Sequence, residues 1–247
     1  MKIIDINAVI GKAVYPHGPA TAEQLLRVME QYGIDRSVIS HELSKMDHKR
    51  GNDAAAAICG EHSDKFGFCA RIDPGLSGRS LGGDEDLVAE LEKAAPECIA
   101  IGPTEQKVPF TPFYWDGVLS AADRLNMPVL LDEPCELPLF RDLPLIAASY
   151  NHARFVVCGA GLTHHRAILS LIKNTENVYF TTAKMLDNRQ IEDICAQGGA
   201  GRLLFGTGYP DIPQSGPLGL VAFADIGGAD KERILSCNWE AIGYGDR

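Results

Sequence analysis

The 247-residue chain has no apolar run approaching the roughly 18 residues that a membrane-spanning helix needs, so no span is expected. A basic stripe is also missing. Lys and Arg number 23 against 33 Asp and Glu, giving a net charge of −10. That balance argues against nucleic acid or an anionic membrane as a partner. The densest basic spot, His48-Lys49-Arg50, reads as a solvated helix start. No two of the seven cysteines have C-x-x-C spacing, and Cys69, Cys98 and Cys158 lie inside apolar runs. Reduced, buried thiols in a cytoplasmic protein are expected, rather than a disulfide framework. The N-terminal MKIIDINAVIG lacks a long apolar segment with a small-residue cleavage site, so it reads as a first strand.

What is present is a repeating unit. Short apolar, β-branched runs occur at 2–9, 36–40, 66–72, 98–102, 128–133, 154–158, 177–182 and 202–206. Their starts are 34, 30, 32, 30, 26, 23 and 25 residues apart, room each time for one helix and two loops. Most runs are apolar on both faces, as strands of a covered parallel sheet must be. Thr21 and Gln24 form a capping box, and Gly33 lies at the expected stop of that helix. Asp187 and Asp230 are expected to cap two later helices. Eight such units predict a single α/β domain over 1–247, a (β/α)₈ TIM barrel; an open doubly wound sheet is the rival. The segment 73–86, DPGLSGRSLGGDED, then falls after strand three on the active face, as a lid or, less in keeping with its spacing, a phosphate cradle.

Six stretches in order carry a resemblance: IIDINAVIG, YWDGVLSAADRLNMPVLLDEP, RFVVCGAG, NVYFTTA, RLLFGTGYP and ERILSCNWEAIGYG. They resemble strand-end motifs of the amidohydrolase superfamily, in the branch related to aminocarboxymuconate semialdehyde decarboxylase. The resemblance implies a hydrolase or decarboxylase acting through a divalent metal. In that family two histidines after strand one, histidines at strands five and six, and an aspartate at strand eight hold the ion. The matching positions here are Asn7, Val9, Asp132, Gly159 and Gly208. Valine and glycine have no side-chain donor for zinc, which takes three or four at roughly 2.0–2.3 Å. The expectation is therefore no metal at the family's position, and no cofactor.

The candidate site residues follow from the strand ends. Asp132 ends an apolar strand, so it lines a wet pocket or caps the loop behind it, and it is the candidate catalytic acid or base. Asn7, His17, Glu105, His164 and Asp211 are candidate substrate-binding residues. Three of them have a structural alternative: Asn7 bonding neighbouring strand ends, Glu105 paired with Lys107, and His164-His165 an exposed helix start. Cys158 reads as a small buried hydrophobe rather than a nucleophile, with its thiol turned away from the pocket by strand alternation. Three functions remain open. The first is a barrel that binds, and hydrolyses or decarboxylates, a small polar molecule without the usual metal. The second is a metal-dependent hydrolase with the atypical ligands Asp132, His164 and Asp211. The third is a non-catalytic barrel that assembles with a partner, a pseudoenzyme; a homo-oligomer is compatible with all three.

Overall fold

The computed structural model describes residues 1–11, 20–72, 84–101, 108–132 and 137–243. Its eight strands are β1 (Ile4–Ile10), β2 (Arg36–His41), β3 (Phe66–Ile72), β4 (Cys98–Ile101), β5 (Pro128–Leu131), β6 (Arg154–Val157), β7 (Val178–Thr181) and β8 (Leu203–Leu204). They pair in sequence order, every pair parallel. The helices between them include α1 (Ala22–Tyr32), α2 (His48–Glu61), α3 (Asp84–Ala94), α4 (Pro112–Arg124), α5 (Leu137–Ser149), α6 (His165–Asn174) and α7 (Gln190–Ala196). Past β8 come α8 (Ser215–Phe223), α9 (Gly228–Glu232) and α10 (Asn238–Gly243). This is the (β/α)₈ barrel that the unit spacing predicts.

The seam between β8 and β1 closes through a few main-chain bonds. Ile6 N donates to Phe205 O at 3.1 Å, Val9 N to Tyr209 O at 2.9 Å, and Gly208 N to Asn7 O at 3.1 Å. The buried Asp5 carboxylate reinforces the seam, accepting from Thr207 Oγ1 at 2.6 Å and Thr207 N at 2.9 Å. Burial pushes the Asp5 pKa up, while the bonds from Thr207 and Asn7 oppose that rise. Two apolar layers lie on either side of the sheet. The inner one gathers Ile4, Ile6, Val38, Cys69, Cys98, Leu130, Val156 and Cys158, with Trp239 and Ile242 of α10. The larger outer layer joins the other strand faces to the helices.

Local signals behave unevenly. The Thr21–Gln24 capping box forms, and Gly33 ends α1 in the left-handed region at φ 67°. His48 does open α2, behind an Asp47 cap. The two expected aspartate caps do not form. The N-cap of α7 is Arg189, in the left-handed region, and Asp187 Oδ1 instead accepts from Asn188 N. Asp230 sits inside α9, where it meets Arg233. Residues 73–83, the bulk of the proposed lid, lie outside the described residues.

Candidate active site

Strand alternation decides which side chains reach the C-terminal mouth. Inward positions run 69 then 71 on β3, and 130 then 132 at β5. Arg71 is therefore the inward side chain one layer above Cys69, and it is only 1% exposed. Its Nη2 donates to Asp132 Oδ2 at 2.6 Å, with the aspartate side chain 20% exposed. Asn52 of α2 clamps the Arg71 backbone from behind, accepting from its N–H and donating to its carbonyl, both at 2.9 Å. Burial, the largest influence on the guanidinium, pulls its pKa down. The charge and hydrogen bond of Asp132, with Cys69 and Glu42 adding, outweigh it and hold the pKa above the ordinary value. Asp132 Oδ1 makes no hydrogen bond among the described residues.

On β1 an irregularity in register between Asp5 and Ala8 resets the alternation. Ala8 and Ile10 turn to the outer layer, leaving Asn7 and Val9 half-buried toward the inside. A Cβ on Gly206 would lie 3.1 Å from Thr181 Cβ and 3.5 Å from Asn7 Cβ, so these three residues form one patch of the inner wall. Thr181 Oγ1 in turn accepts from Gly159 N at 3.3 Å, joining β7 to β6 at the same level. At β2 the half-buried His41 ring lies over Gly11, where a Cβ would come within 2.6 Å of it. Its Nδ1 accepts from Leu43 N at 3.1 Å, and burial lowers its pKa against the pull of Glu42.

Gly159 and Gly208, the glycines that the sequence resemblance sets against two ligand positions, leave space that other side chains fill. A Cβ on Gly159 would meet Lys184 Cδ at 3.4 Å and Nζ at 3.5 Å. A Cβ on Gly208 would meet Ile212 Cδ1 at 3.1 Å and Ala183 Cβ at 3.7 Å. Both glycines have positive φ, 83° and 69°.

Of the sequence candidates, the structure brings Asn7 and Asp132 to the mouth. The His164 side chain, after β6, has local partners. Its ring stacks on Phe140 at 4.8 Å, and its Nδ1 accepts from Gly161 N at 3.3 Å. Asp211 is exposed, in a turn where its N–H donates to Gly208 O at 3.0 Å. His17 and Glu105, with Lys107, lie outside the described residues. Cys158 corrects its expectation: β6 runs one residue further in regular alternation, so the thiol joins the inner layer and meets Val156 O at 3.7 Å. Arg71 and Lys184 were missed. A lone charge in FGFCARI, at an inward position, is a signal that could have found Arg71. Nothing in the order of residues places Lys184 over Gly159.

The amidohydrolase family model matches residues 12–240, and the chain belongs to that family. No curated protein sequence matches it. Among solved structures, 2,6-dihydroxybenzoate decarboxylase from Rhizobium superposes with a TM-score of 0.76 at 14% identity, covering 99% of each chain. Dihydroxybenzoic acid decarboxylase from Polaromonas sp., with bound manganese and 2-nitroresorcinol, gives 0.77 at 14% identity, covering 100% of this chain and 98% of that one. The 5-carboxyvanillate decarboxylase of Novosphingobium aromaticivorans, also with manganese, gives 0.78 at 13%, covering 98% and 97%. At such identities the likeness speaks for the fold.

The manganese in these neighbours overturns the expectation that no cofactor is used, because it points to a metal cofactor. The described residues offer such an ion little. They contain no group of three or more His, Cys, Asp or Glu side chains able to hold one, so Asp132, His164 and Asp211 do not converge. Asn7 and Asp132 are the donors at the family's five positions, Asp132 is engaged by Arg71, and Lys184 and Ile212 fill the glycine spaces. These residues do not fit a divalent ion. Among the described residues no helix is long and apolar enough to cross a membrane.

Proposed function

We propose that this member of the amidohydrolase family binds a small carboxylic acid at the C-terminal mouth of its barrel and decarboxylates it. The observation that carries the reading is the Arg71–Asp132 pair, which fixes one carboxylate oxygen and leaves the other available at the strand ends. Decarboxylation breaks the bond between the carboxylate and its carbon. The electron pair stays on that carbon and takes up a proton, so no oxidant is consumed. Asp132 Oδ1 is placed to accept a proton from a substrate hydroxyl or water and to return it to that carbon. Arg71 acts through Asp132, whose carboxylate it orients. Decarboxylase neighbours in the same fold support the choice of reaction class.

The test is release of ¹³CO₂ from carboxyl-labelled 2,6-dihydroxybenzoate and 5-carboxyvanillate, with and without added Mn²⁺. Asp132→Asn is expected to lower the rate roughly 10²–10⁴-fold, the usual contribution of a proton-transfer group. Turnover by the variant equal to that of the wild type would remove Asp132 from the chemistry.

A further inference from the structure

The β6–β7 corner of the mouth holds a cation that this reaction scheme leaves unused. We propose that Lys184 is the residue that anchors the carboxylate of the substrate. The proposal rests on the reading of the mouth as a small-acid site, and names the group that selects for the acid's charge.

Lys184 follows β7 in a tight turn. Met185 N donates to Thr182 O at 3.2 Å, Leu186 N donates to Lys184 O at 2.8 Å, and the Met185 side chain is fully buried. The neighbouring segment after β6 seats closely on this turn. A Cβ on Gly161 would lie 2.7 Å from Lys184 O, a distance only glycine tolerates without a backbone shift. The turn is thus held from both sides, and the lysine stem runs over Gly159. Gly159 is tied to Thr181, which shares a wall with Gly206 and Asn7. Across one strand spacing, roughly 4.8 Å, the end of β6 lies beside the end of β5, with Cys158 N donating to Leu131 O. Lys184 thus follows β7, two strands from Asp132 at the end of β5, and its side chain reaches over Gly159 at the end of β6 between them; the two residues are not ion-paired.

Arg71 is committed to Asp132, whereas the Lys184 ammonium makes no hydrogen bond or ion pair among the described residues. In a chain of net charge −10, an exposed ammonium at the barrel mouth with no ion pair among the described residues is available to an anion. An ammonium suits a carboxylate as a compact point charge with three donors. With the Lys184 side chain over Gly159 at the end of β6 and Asp132 Oδ1 as the acceptor at the end of the neighbouring β5, the two fit a small hydroxy acid. Its carboxylate meets Lys184 and its hydroxyl donates to Asp132.

The experiment is calorimetric titration of 2-hydroxybenzoate and the uncharged 2-hydroxybenzamide into wild type, Lys184→Met and Lys184→Arg. Lys184 is exposed, so all three proteins should share one melting temperature. The expected result is binding of the acid in preference to the amide, weakened roughly tenfold or more by Lys184→Met, as for a lost charged hydrogen bond, and largely restored by Lys184→Arg. Equal affinity of wild type and Lys184→Met for the acid overturns the role of Lys184 and leaves the small-acid reading standing. Acid and amide binding alike likewise overturns Lys184 alone. No binding of the acid by wild type overturns both.

Discussion

The two sides of the barrel mouth are built by different means. On the β3–β5 side, charge is carried by residues of the strand ends themselves, Arg71 and Asp132, in one ion pair backed by Asn52. On the β6–β8 side, the strand-end positions are Gly159 and Gly208, and side chains from the following loops, Lys184 and Ile212, lie in the vacated space. One side is a buried electrostatic unit that cannot lose a member cheaply. The other is a glycine scaffold whose chemistry comes from elsewhere in the chain and is replaceable. The difference implies that stability and ligand selection separate along the rim.

The largest expected effect breaks the first side. Arg71→Met removes the countercharge of a largely buried carboxylate, and should lower unfolding free energy by about 3 kcal/mol. Combining it with Asp132→Leu should return part of that loss, because the orphaned charge disappears. Urea unfolding of the three proteins checks both statements. An Arg71→Met variant as stable as wild type would mean that the pair is not a structural unit.

A smaller effect sharpens the second side. Gly208→Asp places a Cβ 3.1 Å from Ile212 Cδ1 on a backbone at φ 69°. The left-handed conformation costs an L-residue about 1 kcal/mol, less for Asp than for most. Gly208→Asp with Ile212→Ala should relieve the crowding and keep the backbone cost. Paired thermal melts separate the two parts. If the double variant is no more stable than Gly208→Asp, Ile212 does not fill the space as described.

This contrast also explains what was legible in the sequence. The barrel was readable because eight apolar runs at even spacing leave few alternatives, and the strand boundaries fall within a few residues of the runs. Asp132 was readable because a carboxylate ending an apolar strand needs a partner or water. The expected helix caps at Asp187 and Asp230 failed because each carboxylate found a nearer donor, Asn188 N and Arg233. The inward turn of Cys158 was missed because alternation was counted back from Gly159, whose positive φ breaks it. Lys184 was out of reach for a deeper reason. Its place depends on the absence of a side chain on a different strand, which no local pattern records.

The smallest predicted effect concerns His41. Burial lowers its pKa below the ordinary 6.5, so the unfolded chain binds the proton more readily than the folded one. The contribution of His41 to stability is thus full above about pH 6.5 and is lost as pH falls below it. His41→Gln should flatten the pH dependence of the urea midpoint in that window. An unchanged slope would show that the ring is not held neutral by its surroundings.

The place where a small acid binds is the most direct test of the mouth as a site. Titrating 2-hydroxybenzoate into ¹⁵N-labelled protein and following backbone amide shifts locates it. Saturable shifts are expected at Asn7, Asp132, Gly159, Lys184 and Gly206, the residues of the mouth. Shifts confined to the opposite end of the barrel, around Arg36 and Glu97, or no saturable shifts at all, would contradict it.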